Sequence, residues 1–260
     1  MLKGKIAVVT GSTSGIGLGI ARALAATGCN IMMNGFGDAA EIEQLRGDIE
    51  KEFGVKALFN GADLSKGEQC AELIRDTQTR FGRVDILINN AGIQHVSPIE
   101  SFPVDRWDAI IAINLCSAFH TIRAALPGMK SAGWGRIINI ASTHGLVASV
   151  NKCAYVTAKH GIMGLTKTAA LELAGTGVTC NAICPGWVLT PLVKKQIDAR
   201  AEREKIPVQQ AERDLLMEKQ PSGKFTTVEQ LGALAVFLCS PGADNITGVP
   251  LPADGGWTAQ

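Results

Sequence analysis

Short runs of apolar, often β-branched residues alternate along the chain with longer stretches whose apolar positions recur every three to four residues. The short runs predict strands at Ile6–Thr10, Asn30–Asn34, Val55–Asn60, Ile86–Asn89, Arg136–Ala141, Val178–Cys184 and Thr247–Leu251. The longer ones predict helices over about 15–27, 39–53, 66–82, 104–126, 152–175 and 227–239. The strand candidates are apolar on consecutive positions, the pattern of strands covered on both faces. Strand–helix alternation of this kind implies right-handed crossovers between parallel strands. The expected fold is therefore α/β, a doubly wound parallel sheet of about seven strands with helices on both faces. No linker, repeat or low-complexity stretch divides it, so residues 1–260 read as one domain.

One segment departs from the pattern. Residues 187–224 are polar and charged, with Lys194-Lys195-Gln196, Arg200–Lys205 and Ala211–Lys219, and should form one or two short helices outside the sheet. Such an excursion after a strand end is either a solvated helical hairpin or a lid over a site.

Composition agrees with one sizeable core. Of 260 residues, 46% are hydrophobic and 19% charged, and the net charge of +1 offers neither a nucleic-acid surface nor a polybasic membrane anchor. No apolar run approaches the ~18 residues that span a bilayer. The start, Met1-Leu2-Lys3-Gly4-Lys5 before Ile6–Val9, is too short for a signal-peptide core. A cytoplasmic protein without membrane or nucleic-acid partners is expected. The seven cysteines are scattered, without Cys-x-x-Cys, so metal and disulfide readings fail on spacing and reduced, buried thiols are expected.

Two features carry candidate chemistry. The chain's single tyrosine, Tyr155, lies four residues before Lys159, which on a helix places phenol and ammonium on one face. A neighbouring cation should draw a phenol's pKa below its usual ~10 and so fit it to exchange a proton with an alcohol oxygen. Tyr and Lys at this spacing also occur on ordinary helix faces. The second feature is Thr10-Gly11-Ser12-Thr13-Ser14-Gly15-Ile16-Gly17, between the first strand and the first helix. Glycines there let backbone approach a pyrophosphate, and the helix N-terminus supplies amide donors, which points to a Rossmann-type dinucleotide site.

The Gly-x-x-x-Gly-x-Gly spacing resembles that of the short-chain dehydrogenase/reductase family, and the likeness extends almost end to end. It implies a dinucleotide held by Gly11, Thr13, Gly15, Ile16 and Gly17, with Asp63-Leu64 at the adenine and Asn90-Ala91-Gly92 lining the cleft after Asn89. Pro185-Gly186 would sit beside the nicotinamide, with Val188 and Thr190 just beyond. Asn114, Ser142, Tyr155 and Lys159 fall on the family's four catalytic positions. Tyr155 would be the base in oxidation and the acid in reduction. Lys159 would lower its pKa and hold the ribose hydroxyls, Ser142 would bind the substrate oxygen, and Asn114 would support a water-linked proton path. NAD is expected over NADP, because no basic residue in Ser12–Ser14 or Asn34–Asp38 can pair a 2′-phosphate. Asp38 comes late enough to cap the next helix instead, and Phe36 either packs near the adenine or fills the core.

Around those four positions, Gln94, His144, Lys152 and Gln196 are donors suited to a small carboxylate, and Trp187 and Trp257 would wall off a long acyl chain. Taken singly, each also has an ordinary role in a loop, helix start or core. Runs such as Asn89–His95, His144–Ser149, Cys184–Val188, Thr190–Val193, Glu218–Ser222 and Asp254–Ala259 resemble the branch of the family that interconverts (R)-3-hydroxybutyrate and acetoacetate with NAD. That resemblance implies carboxylate binding by those four donors under a closing lid, and a homotetramer. Leu189, where a basic residue would be expected, and Gly223-Lys224 depart from it. The alternatives are an NADPH-dependent 3-oxoacyl-carrier reductase and a non-catalytic NAD-sensing protein on the same fold.

Overall fold

A computed structural model of the protein describes residues 2–259. Seven parallel strands form one sheet in the order β3-β2-β1-β4-β5-β6-β7. They are β1 (Ile6–Val9), β2 (Asn30–Asn34), β3 (Ala57–Asn60), β4 (Ile86–Asn89), β5 (Gly135–Ile140), β6 (Val178–Pro185) and β7 (Pro250–Ala253). Helices α1 (Gly15–Ala26), α2 (Ala39–Phe53) and α9 (Val228–Leu238) cover one face, burying Ile20, Leu24, Ile49 and Leu231 against β1 and β2. Helices α3 (Gly67–Phe81), α5 (Ser117–Ser131) and α6 (Cys153–Glu172) cover the other through Leu73, Ile74, Ile122 and Met129. The apolar runs are thus strands buried on both sides, and the sheet reverses its winding between β1 and β4, where ligands bind in such folds.

Boundaries shift where side chains intervene. Strand β7 begins three residues after its predicted start at Thr247. Thr247 Oγ1 instead accepts the Cys180 amide at 3.1 Å, and Gly248, at φ 75°, turns the chain before it joins the ladder. The predicted helix 104–126 is α4 (Val104–Ile111), a π turn at Ala112–Cys116, and α5 running on to Ser131. Together they form a 28-residue rod that, with a mean hydropathy of 1.5 in its most apolar window, is long and apolar enough by length and composition to cross a membrane. That corrects the expectation that no segment reaches this length. Here the rod packs against α3 and α6, which buries part of its apolar surface. Asp38 caps α2 as expected, accepting from the Ala40 and Glu41 amides at 2.9 and 3.1 Å. All seven cysteines are free, and five are buried.

The polar segment after β6 forms two helices, α7 (Pro191–Glu204) and α8 (Val208–Met217). They share a small core of Val193, Ile197, Ala201 and Ala211, against which Trp187 packs.

Candidate active site

The carboxyl ends of β1 and β4, and those of β2 and β3, are tied together by side chains that close apolar runs. Thr10 Oγ1 accepts from the Asn90 and Ala91 amides at 2.9 and 3.0 Å. Asn90 Nδ2 donates back to the Thr10 and Gly11 carbonyls at 2.9 and 3.0 Å. Asn34, at the end of β2, donates to the Asn60 and Ala62 carbonyls, both at 3.0 Å. Thr10 and Asn34 carry no motif of their own. Their signal in the sequence is a polar residue ending a strand in an open α/β sheet.

This frame shapes the glycine loop. Gly11 and Gly15 adopt φ of 61° and 53°. A Cβ on Gly17 would lie 2.2 Å from the Gly11 carbonyl oxygen and 2.5 Å from Asn90 Nδ2, so no side chain fits there. The loop folds tightly onto the start of α1, whose first amides lack a side-chain cap from Ser14. Unpartnered amides at a helix N-terminus form a cradle for phosphate.

A cavity of about 390 Å³ runs from this loop past Asn90–Gly92 to Ser142, Tyr155 and Lys159, and ends at Trp187 and Trp257. It gathers nearly all the residues singled out from sequence, including Leu64, Pro185, Gly186, Val188 and Thr190. Gly17, Asp63 and Asn114 lie off its walls. Gly17 acts by its missing side chain. The Asp63 carboxylate accepts the Ser65 amide and hydroxyl at 3.0 and 2.7 Å, shaping the turn into α3. Ala62, Ile93 and Ile113 also line the cavity, and as apolar residues without a motif they give no signal in the sequence. Phe36 is 68% exposed on the cleft, which rules out its reading as core. Among the described residues no arginine lines the cleft, and the two lysines that do, Lys152 and Lys159, lie away from the Phe36 end.

At the centre, Lys159 is buried and donates from Nζ to the Ile140 carbonyl at 2.7 Å. Loss of solvation brings its pKa down to about 8. Its Nζ lies 5.6 Å from the Tyr155 ring centroid. Burial raises the Tyr155 pKa, and a hydrogen bond with Ser142 opposes that rise. Burial therefore outweighs the pull expected from Lys159 in the chain alone, and the expectation of a phenol drawn below ~10 is not met there. Ser142 Oγ accepts the His144 amide at 3.1 Å. Asn114 sits in the π turn, its amide bound on both sides to the Ile93 backbone at 2.9 Å. Its side chain anchors the cleft wall.

At the far end, the His144 ring meets Tyr155 and Trp257 edge-on, with centroids 5.9 and 5.4 Å apart, and Trp187 lies 5.8 Å from Trp257. Burial, reinforced by the charge of Lys152, lowers the His144 pKa to about 4, so the ring is neutral at pH 7. Lys152 stands 5.4 Å over the Trp187 ring, its pKa lowered by burial, and forms no ion pair among the described residues. Gln94 Nε2, His144 Nε2 and Trp187 Nε1 are buried without partners. A pocket with an unpaired ammonium and idle nitrogen donors fits an acceptor-rich guest such as a carboxylate. Among the described residues no cluster of His, Cys, Asp or Glu can hold a metal.

The segment over this pocket closes on itself at a neck. Trp187 donates its amide to Gln220 Oε1 at 2.8 Å and accepts the Thr226 amide at 2.9 Å. Gln220 also donates to the Lys224 carbonyl. Gly223, at φ 61°, makes the turn that allows this, so Gly223-Lys224 supports the neck. Leu189 is half exposed beside it.

A phosphate cradle at a strand-order switch, continuous with a Ser–Tyr–Lys centre, defines a dinucleotide-dependent oxidoreductase. Residues 5–201 match the family model for short chain dehydrogenase, and the chain belongs to that family of nicotinamide-dependent enzymes. It is 64% identical to a D-beta-hydroxybutyrate dehydrogenase of Cupriavidus necator, with 100% of both chains covered. A protein of that name from Rhizobium meliloti is 56% identical over 98% of this chain and 99% of the other. Among solved structures, a single-residue variant of actinorhodin polyketide ketoreductase with NADPH superposes with a TM-score of 0.91, at 32% identity and 98% coverage of both chains.

Proposed function

We propose that the protein interconverts (R)-3-hydroxybutyrate and acetoacetate with NAD. The observation that carries this reading is the set of unpartnered nitrogens of Gln94, His144 and Trp187, with the unpaired Lys152, in the same pocket as Ser142 and Tyr155. The names of the two relatives agree with it. When bound, the nicotinamide accepts or supplies the hydride. The chain's own residues do the rest. Lys152, Gln94, His144 and Gln196 hold the carboxylate, fixing the distance to the reacting carbon. Trp187 and Trp257 bound the short alkyl end. Ser142 binds the alcohol oxygen, and Tyr155 takes its proton at the phenol oxygen or returns it in reduction. Lys159 stabilises that phenolate, with the π turn around Asn114 behind it. Cover by α7 and α8 excludes water.

NAD is favoured over NADP because the Phe36 end of the cleft carries no basic side chain to meet a 2′-phosphate. The same absence and the tryptophan wall weigh against an NADPH-dependent 3-oxoacyl-carrier reductase. Free thiols agree with a cytoplasmic setting. Exposed Val104, Phe119 and Leu171 on α4, α5 and α6 support a homotetramer.

Absorbance of the reduced nicotinamide with NAD or NADP and each enantiomer of the acid tests the reading. Reduction of NAD by the (R)-acid is expected. Inactivity with that acid beside turnover of a 3-oxoacyl thioester would reject it. Lys152→Ala should raise KM for the acid roughly 10- to 100-fold, the worth of a bond to a charged group, and leave NAD binding in place. An unchanged KM would remove Lys152 from the pocket.

A further inference from the structure

On the far side of Trp187 and Trp257 lies a second chamber of about 520 Å³. Five residues face both spaces: His144, Lys152, Trp187, Gln196 and Trp257. They are the far end of the first cleft and the inner wall of the second, so the acid pocket borders both spaces. One faces the dinucleotide site. The other leads out between Val96 and Val150 on one side and Arg203 and Lys219 of the α7–α8 segment on the other.

The outer rim is shaped and charged. Asn151 adopts a left-handed φ of 61°, and its carbonyl accepts the Ser97 amide at 2.9 Å, which fixes the loop that carries Val150. Val150 itself is 82% exposed. On the helical side, Arg203 is paired with Glu204 at 2.8 Å, and Glu218 with Arg200 at 2.7 Å. Lys219 forms no ion pair among the described residues. Its charge is felt at His144, deep in the shared wall. Together with Lys152 it makes a line of unneutralised cations from solvent to the unpartnered donors.

We propose that this second chamber is the passage through which a short carboxylate reaches and leaves its pocket once the dinucleotide fills the first cleft, with Lys219 drawing the anion in. The proposal rests on the substrate class inferred above. A dinucleotide stretched from Gly11 to Tyr155 occupies the first space, which leaves the Val150–Lys219 mouth as the remaining route. An unpaired ammonium at a rim acts chiefly on the rate of encounter.

Rates separate a passage from a binding contact. Acetoacetate is mixed with the enzyme–NAD complex, which cannot turn it over, and tryptophan fluorescence from Trp187 and Trp257 is followed by stopped flow. Lys219→Glu should slow association roughly five- to tenfold at low salt, with the difference closing as screening sets in at high salt. Val150→Trp should narrow the mouth and slow association and dissociation by a similar factor, about threefold or more, leaving Kd unchanged. NAD affinity should be untouched in both. Unaltered rates in both variants, in an enzyme that oxidises the (R)-acid, would overturn the passage alone. A wild-type protein that oxidises no 3-hydroxy acid would overturn the substrate reading and the passage with it.

Discussion

Replacing Tyr155 by Phe is expected to lower kcat roughly 10²- to 10⁴-fold, the scale of a lost general acid–base group, with little change in NAD affinity. The ring that packs edge-on against His144 remains. The transferable proton does not. A variant keeping more than about a tenth of the wild-type kcat would exclude Tyr155 as the proton carrier. The chain has one tyrosine, so phenolate absorbance reports this site without interference from another. In the free protein the signal should appear only above the ordinary value of 10.0, since burial raises the pKa. A titration that moves down when NAD is added would show that the phenol is tuned by the assembled complex.

Lys159→Met should abolish turnover and yet stabilise the cofactor-free protein. The ammonium is buried, has the Ile140 carbonyl as its hydrogen-bond partner, and titrates near 8 against 10.5 for an ordinary lysine. Keeping it charged at neutral pH costs about 3 kcal/mol on that difference. Removing it leaves the carbonyl without its partner, an offset of about 1 kcal/mol or more, so a net gain of about 1–2 kcal/mol is expected. The sign of the pH dependence follows. Below pH 8 the lysine is protonated in folded and unfolded chains alike, and the whole penalty is present. Between 8 and 10.5 the unfolded chain binds more protons, so the wild type recovers stability as pH rises. Buried thiols, with pKa values pushed up to about 11 or 12, act in the opposite direction in both proteins. The gap between wild type and variant is therefore the quantity to follow. Urea melts at pH 7 and pH 9.5 should show it narrowing, and a constant gap would mean that Lys159 is not the destabilising charge.

Strand periodicity makes the sheet legible in the sequence, because buried parallel strands leave continuous apolar runs. The glycine loop is legible because its chemistry is local in sequence. Asp38 reads as a cap for the same reason, its partners being two and three residues away. What stays hidden depends on distant segments meeting. The Thr10–Asn90 bonds join positions 80 residues apart, and Gln220 reaches Trp187 across 33. The π turn at Ala112–Cys116 adds its irregularity without disturbing the apolar pattern, so the rod reads as one shorter helix. Helical spacing brings Tyr155 and Lys159 near each other. It does not reveal how completely the fold buries the phenol, which is why its pKa departs from the expectation.

The neck at Trp187, Gln220 and Thr226 has an evolutionary consequence. The two ends of the α7–α8 segment are already pinned side by side, so the entropy of closing that loop does not fall on the sheet. Material between the pins behaves as an exchangeable cassette. It can lengthen, shorten or change its lining without moving Ser142, Tyr155 or Lys159. Descendants of such a chain can adopt new acids by rewriting the cassette while inheriting the chemistry intact, and grafts between relatives should be cut at Trp187 and Thr226.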